Sequence, residues 1–333
     1  KSPKNQQLYR KLNIERLLGQ SMSAIADFDK SINFDSNYAA SYINRGVANL
    51  DLGNYKDAIV DSEEAIKLNP DLAEAYNNRG SAKAELGDYK SATADYETAI
   101  RLNPDLADAY NNRGKIKGVF GQHEAAISDY NQALVLKPDF ASPYHNRGLV
   151  KSMIGQYESS ISDYDMAIHL NPYHIQAFLN RGEARLQLGE YDEAMGDFNE
   201  AIRLKSSFPG AYSSRAKAKV MIEQYESAVM DCNTAIQLDP NWFEAYNIRG
   251  MAKLRQDQFE SAIFDFDKAI QLNPHIAEAY YNRGNAKFVL CGISAANSDY
   301  QRALELARST GNDKLITEIK QFIQRINGYV ANK

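Results

Sequence analysis

Hydrophobic and polar positions along the chain repeat with a period of 34 residues. Within one period, residues 73–106, two amphipathic stretches are separated by Gly87–Asp88, and the second stretch ends at Asn103–Pro104. Glycine relieves the strain of a tight turn, and proline cannot continue a helix. The pattern therefore predicts two helices per period, over about residues 73–86 and about residues 90–102.

Arg-Gly pairs mark the same period, and Arg215-Ala216 fills the one gap between them. The pairs begin at Arg45, Arg79, Arg113, Arg147, Arg181, Arg249 and Arg283. With Ala73 as position one of its unit, the full units are 39–72, 73–106, 107–140, 141–174, 175–208, 209–242, 243–276 and 277–310. A degenerate unit, residues 5–38, precedes them. Length alone suggests two domains, but the repeat predicts one continuous stack over residues 5–310.

Small and large residues alternate in phase with the period, as close helix packing requires. The positions that carry this phase are Tyr76, Gly80, Tyr89, Ala92, Tyr96, Ala99 and Pro104, with their equivalents. This periodic pattern of residues resembles that of the tetratricopeptide repeat (TPR) family. The resemblance implies an all-α, right-handed superhelical solenoid of helix-turn-helix repeats, with the first helix of each unit on the concave face. Residues 312–329 are predicted to add a C-terminal capping helix, with a docking helix as the alternative.

Two charged positions depart from the commonest TPR pattern. Arg79 stands where Leu is usual and Lys83 where an aromatic residue is usual, and Asp95 recurs on the second helix. Since Arg79 and Lys83 are four residues apart, they share one helix face. We expect the aspartates to pair with the arginines or lysines of the first helix in a ladder of half-buried ion pairs.

Asparagines recur on the first helix at positions that the resemblance places on the concave face. The position-six residues are Asn44, Asn78, Asn112, Asn146, Asn180 and Asn282, and those at position five are Asn77, Asn111 and Asn247. An asparagine amide offers both a donor and an acceptor, as an extended peptide backbone requires. TPR proteins with such ladders bind extended segments, so this row of asparagines is predicted to hydrogen-bond to the main chain of a ligand. The alternative is that the asparagines only contact solvent and cap local backbone groups.

The two halves of this groove differ in chemistry. The first half adds Asp51, Glu74, Glu85 and Asp108, with the inward cation Lys115 nearby. The second half is apolar, and the residues chosen there as selectivity determinants are Leu179, Leu186, Met221, Met251, Tyr281 and Phe288. We expect these apolar residues to be exposed, and the ligand to be basic or polar at one end and apolar at the other.

No constellation in the sequence indicates catalysis. The chain has five histidines and two cysteines, without a zinc motif, a phosphate-binding loop or a nucleophile elbow. His169 and His174 are a weak candidate for a metal site. We expect no enzyme activity and no cofactor.

Net charge and hydropathy limit the kinds of partner that the protein is expected to bind. The formal net charge of −5 is unfavourable for nucleic-acid binding. No apolar run approaches a membrane span. The amino-acid composition does not distinguish a cytoplasmic from a periplasmic or an organellar location. The sequence therefore predicts a scaffold, adaptor or assembly factor that binds an extended protein segment. The alternatives are a self-associating homo-oligomer, a metal-delivery module, or a targeting domain of a larger enzyme.

Overall fold

The computed structural model describes the backbone of residues 3–331 and the side chains of residues 19–292 and 294–324. Over residues 3–331 the regular structure is helical throughout, with eighteen α-helices and no strand. The helices are α1 (Pro3–Phe34), α2 (Ala39–Asp51), α3 (Tyr55–Leu68), α4 (Ala73–Glu85), α5 (Tyr89–Leu102), α6 (Ala107–Val119), α7 (His123–Leu136), α8 (Ala141–Met153), α9 (Tyr157–Leu170), α10 (Ile175–Leu188), α11 (Tyr191–Leu204), α12 (Pro209–Met221), α13 (Tyr225–Leu238), α14 (Phe243–Arg255), α15 (Phe259–Leu272), α16 (Ala277–Cys291), α17 (Ile293–Ser309) and α18 (Asp313–Ala331). The all-α class with paired helices is confirmed.

The chain divides into two compact units, Lys1–Pro172 and Tyr173–Lys333. The first unit contains α1–α9 and the second unit contains α10–α18. A unit given with numbered positions is instead one 34-residue repeat. A single continuous stack over residues 5–310 stays a prediction. Within each unit, helices pair in chain order, and the first helices of successive pairs also contact one another. We call the surface formed by positions two, five, six, nine, twelve and thirteen of these first helices the A face.

Every first helix of a pair, from α2 to α16, begins at position one of its unit. The residue before it adopts an extended or near-extended conformation, as at Leu72 (φ −83°, ψ 92°). Upstream, the Asn103 side chain accepts a hydrogen bond from the backbone N–H of Asp105 at 3.0 Å. This local turn ends α5 and directs the chain into α6. The sequence thus sets each junction between units through short-range contacts.

The turn inside each pair from α2–α3 to α14–α15 has a left-handed residue at position fifteen. Gly53, Gly87, Gly121, Gly155 and Gly189 supply it, with φ between 71° and 83°. Glu223 and Asp257 take the same place in α12–α13 and α14–α15, with φ of 63° and 58°. A residue with a Cβ is strained in this region, whereas glycine is not.

We therefore expect Glu223→Gly to raise the free energy of unfolding by about 0.5–1 kcal/mol, since relief of strain exceeds the added chain entropy. Chemical denaturation of the full chain measures the change. Gly155→Glu is the matched reverse substitution and is expected to lower stability. Equal stability of wild type and Glu223→Gly would show that the turn carries no strain.

The N-terminal unit differs from the expectation of a helix pair, because α1 runs without a break from Pro3 to Phe34. Gly19 occupies position fifteen, yet it lies inside the helix and is not among the positive-φ glycines. Ser21 stands at position seventeen, where the units from residue 39 to residue 276 carry Tyr, His or Phe. The N-terminal unit therefore lacks the ring that accompanies those turns, and the helix continues instead.

The C-terminal helix α18 packs on the last pair, as a capping helix should. Leu315 and Ile319 are buried against α17, and the ring of Phe322 lies 5.6 Å from that of Tyr300. Ile323 is partly buried in the same cluster. Ile326, also predicted for this face, lies outside the described side chains.

Candidate peptide-binding surface

An ion ladder joins the two helices of every pair from α2–α3 to α16–α17. In α14–α15, Asp265 is 0% exposed and accepts from Arg249 Nε at 2.9 Å and Nη2 at 2.6 Å. Lys253 Nζ lies 2.8 Å from Oδ2, the oxygen that also accepts from Arg249 Nε. The arginine–aspartate pairs are Arg45–Asp61, Arg79–Asp95, Arg113–Asp129, Arg147–Asp163, Arg181–Asp197, Arg215–Asp231, Arg249–Asp265 and Arg283–Asp299. The predicted ladder is present, and each aspartate from Asp95 onward holds two cations rather than one.

The sequence did not predict two further contacts of the ladder arginines. Nη1 of Arg147 donates to Asn131 of the preceding pair at 2.6 Å, and Nη1 of Arg283 to Asp267 at 2.6 Å. Each guanidinium also lies over the ring three residues earlier, 5.3 Å from the Tyr280 centroid in the case of Arg283. The ladder therefore joins neighbouring pairs, and its cations are engaged by the fold rather than free for a ligand.

In the first unit, asparagines of successive first helices bond to one another. Asn112 Nδ2 donates to Asn77 Oδ1 at 3.1 Å, and Asn146 Nδ2 donates to Asn111 Oδ1 at 3.0 Å. Both bonds join position six of one unit to position five of the unit before it. The Asn112 amide also reaches Ser81 Oγ at 3.3 Å. These asparagines therefore tie the A face together and are held in fixed orientations.

Asn44 and Asn78 lack such partners within the described part of the chain. The residue that would accept from Asn78, 35 positions earlier, is the apolar Ile43. Asn78 is 8% exposed and Asn44 is exposed. Asn77 accepts from Asn112 through Oδ1, and its Nδ2 group makes no hydrogen bond with another described residue. The ladder thus mixes amides that bond to one another with amides that have no partner among the described residues.

The A face of the second unit carries a different set of polar residues. At position six, Asn180 and Asn282 are half-buried, and Ser214 donates to the Glu183 carboxylate instead. Asn247, at position five, is half-buried, and its Oδ1 has no hydrogen-bond partner.

Most of the apolar residues chosen from the sequence lie inside the packing of the second unit. Leu179 and Leu186 are 7% and 8% exposed, so the expectation of an exposed cluster is wrong for them. Met251 packs in the core between α12, α14 and α15. Tyr281 and Phe288 each face the Phe322 ring of α18 at 6.0 Å. Of the six, Met221 alone is exposed, at 50%.

Trp242 is an inter-repeat packing residue that also makes a hydrogen bond. Its ring packs in the core of the second unit, and Nε1 donates to Ser213 Oγ at 3.0 Å. The sequence predicted the packing but not the bond.

The histidines do not form a metal site with other described side chains. His174 Nδ1 accepts from the backbone N–H of Ala177 at 3.3 Å as the N-cap of α10. Burial lowers the pKa of His174. His169 lies on α9, in the first unit. Among the described residues, no group of three or more His, Cys, Asp or Glu is arranged to hold a metal ion.

The cysteines occupy different environments. Cys232 is buried, and burial raises the pKa of its thiol to about 12, whereas Cys291 is exposed. In the described part of the chain, no helix combines the length and apolar character needed to cross a bilayer.

The repeat geometry defines a class, the helical-repeat proteins, and family comparison gives the family. A model described as TPR repeat matches residues 48–87, 80–117 and 121–153. Models described as tetratricopeptide repeat match residues 148–209 and 243–276. Together these matches span more than half of the chain, which therefore belongs to the tetratricopeptide repeat family. The fold is that of a protein-interaction scaffold and is typically non-catalytic.

Solved structures share the fold at low sequence identity. A tetratricopeptide repeat protein from Parabacteroides merdae ATCC 43184 has a TM-score of 0.62 and 22% identity, covering 74% of this chain and 98% of that one. A chain of the APC/C hetero-tetramer Cut9-Hcn1 has a TM-score of 0.64 and 16% identity, covering 80% of this chain. This chain spans only 52% of that one. PilF of Pseudomonas aeruginosa has a TM-score of 0.57 and 19% identity, covering 62% and 94%. Comparison with curated proteins finds no match.

Proposed function

We propose that this protein is a non-catalytic interaction scaffold that binds an extended peptide segment on the A face of its first unit. The observation that carries the proposal is the set of amides at positions five and six, some bonded to one another and some open. Asn112 and Asn146 bond across helices and hold the face in shape. Asn44, Asn78 and the Nδ2 group of Asn77 remain to contact a ligand.

The spacing suits an extended main chain. Packed helices lie about 8–10 Å apart, and an extended peptide advances about 3.3 Å per residue, so about three peptide residues span one unit. Each amide can donate to a peptide carbonyl and accept from a peptide N–H. Because the bonded asparagines fix the face beforehand, less conformational entropy is lost on binding.

Substituting the two open asparagines should weaken binding without weakening the fold. For Asn44→Ala with Asn78→Ala, we expect peptide affinity to fall about tenfold, since each lost hydrogen bond contributes about 0.5–1.5 kcal/mol. The thermal melt, followed by circular dichroism, should stay at the wild-type temperature. The probe is a fluorescein-labelled extended peptide of about twelve residues, about 40 Å long, and the readout is fluorescence anisotropy with the full chain.

Asn112→Ala with Asn146→Ala is the matched pair, because these amides bond within the protein. That variant should melt at a lower temperature. If the Asn44 and Asn78 substitutions leave the dissociation constant unchanged, the ligand does not use the open amides and the proposal fails.

A further inference from the structure

Four carboxylates occupy A-face positions of the first unit, on the helix that carries Asn78 and on the two first helices beside it. Asp51 is the last residue of α2, Glu74 and Glu85 lie at the two ends of α4, and Asp108 lies in the first turn of α6. Helix α4 contacts both α2 and α6, so the four belong to three neighbouring helices. Among the described residues, none of the four has a hydrogen bond or an ion pair. No described side chain balances their charge, although Glu74 and Asp108 lie in the first turns of their helices, where the helix dipole favours a carboxylate.

The cations on the same helices are engaged elsewhere. The arginine and lysine of α4 pair with Asp95 at 2.6 and 2.7 Å, and those of α6 pair with Asp129 at 2.7 Å. Lys115 is exposed and makes no ion pair in the described part of the chain. Four carboxylates therefore face one available ammonium group on this surface.

Asp51 and Glu85 are placed unfavourably for their own helices. Each ends its helix, where the partial negative charge of the helix dipole repels a carboxylate. The same position in the next two units carries Val119 and Met153. No feature of the described fold explains two acidic residues here, whereas a bound cation would relieve both repulsions.

Asn78 is an independent observation that indicates a ligand at the same place. Its side chain is 8% exposed and has no hydrogen-bond partner among the described residues, although Asn112, its equivalent on α6, donates across to Asn77. The amide of Asn78 therefore has donor and acceptor capacity that no described residue uses, and a peptide group from a ligand would use it. The amide lies on α4 between the carboxylates at the two ends of that helix.

We propose that this part of the A face selects an extended segment with Lys or Arg at about every third residue, which matches the rise of one unit. The main chain contacts Asn78, and successive basic side chains reach Asp51 on α2 and Glu85 on α4. Glu74 and Asp108 attract cations at the opposite edge of the same face. The inference rests on the proposed function and names the chemistry of its ligand.

The test uses the full chain and two labelled, end-blocked peptides of about twelve residues, about 40 Å long when extended. One carries Lys at every third position among Ser and Ala, and the other carries Gln at the same positions. We expect the Lys peptide to bind about tenfold more tightly, from two exposed ion pairs. Asp51→Asn with Glu85→Gln should bring the ratio of the two dissociation constants close to one, with no loss in melting temperature. Salt at about 0.5 M should also reduce the ratio.

Asp57→Asn with Glu97→Gln is the matched control, since it removes the same charge from α3 and α5, outside the A face. It should preserve the ratio. Equal binding of both peptides to wild type, or an equal loss in this control, would overturn cation selection and leave the proposed function standing. Failure of both peptides to bind would overturn the proposed function as well. Retention of the Lys preference in the Asn44 and Asn78 double variant, at wild-type affinity, would support cation selection and reject the role of the amides.

Discussion

Replacing Asp265 by Asn is expected to lower the free energy of unfolding by about 3–5 kcal/mol. The substitution keeps the shape of the side chain but removes the charge that balances Arg249 and Lys253. Asp265 is 0% exposed and each of its oxygens accepts from a cation, at 2.6–2.9 Å. The Asn amide would turn a donor toward one of those donors, and two half-buried cations would lose their counter-charge.

Urea denaturation is the appropriate measurement, because guanidinium chloride screens the charges under test. Repeat arrays also open locally, so hydrogen exchange of the α14 and α15 amides should report a larger change than the global melt. Asp27→Asn is the matched control. Asp27 has the same position in its unit, but it is 69% exposed and its one partner among the described residues is Lys30, so its loss should be below about 1 kcal/mol. Equal effects of the two substitutions would contradict the ladder as a source of stability.

A second variant compares the loss of stability on breaking the Arg249–Lys253–Asp265 cluster with the net contribution of the intact cluster to stability. Replacing Arg249, Lys253 and Asp265 together by Met, Met and Leu removes every charge and leaves none unpaired. Since apolar replacement of a whole buried ion cluster is often close to neutral, this variant should lose less stability than Asp265→Asn alone. A loss as large as that of the single substitution would instead mean that the ion bonds themselves stabilise the pair.

The sequence predicted the ion ladder because its information is local and periodic. Arg79 and Lys83 are four residues apart, and Asp95 recurs on the second helix at a constant separation. A helix pair of fixed length must then bring the three groups together, and the structure does so at 2.6–2.7 Å. The start of each first helix was predictable for the same reason, since proline and extended residues act within a few positions.

The state of the A-face residues was less predictable, because it depends on the neighbouring unit. Periodicity places Leu179 and Leu186 on the inward side of α10, but it does not tell how far the next helix covers them. The bond from Asn112 to Asn77 spans 35 residues, one more than the period, and that offset was the available signal. The absence of the corresponding bond at Asn78, whose partner position holds Ile43, could be predicted only once this pairing rule was known.

The N-terminal unit shows that the repeat period alone can predict a helix pair where the chain forms a single helix. Phase alone predicted a helix pair over residues 5–38, and α1 is one helix. The turns from α2–α3 to α14–α15 combine a left-handed residue with a ring two positions later, and the N-terminal unit has Gly19 but carries Ser21 in place of the ring. A glycine in phase is therefore insufficient evidence for a turn.

Gly148→Ala is expected to destabilise the first unit by about 1–3 kcal/mol, although alanine is the better helix former. A Cβ at this position would lie 2.8 Å from Tyr164 Cε1 and 3.2 Å from the carbonyl oxygen of Ser160. The Tyr164 ring is 0% exposed and has no free volume to move into. Urea denaturation and hydrogen exchange of α8 and α9 measure the loss.

The chain supplies its own controls for this contact. At Gly46 the partner is Ser62 rather than an aromatic residue, and a Cβ would meet its nearest neighbour at 3.4 Å. Gly46→Ala should therefore be neutral or stabilise the fold by up to about 1 kcal/mol. The pair Ala216 and Cys232 shows the natural compensation, since a larger residue on α12 faces a smaller one on α13.

Combining Gly148→Ala with Tyr164→Cys should consequently cost less than the sum of the two single substitutions. The Cys substitution alone leaves a cavity, and the added methyl group fills part of it. Additive losses in this double-mutant cycle would show that the close approach of α8 and α9 does not depend on the glycine–tyrosine contact. A favourable coupling would show that the small residue at position eight is required by the size of the side chain opposite it.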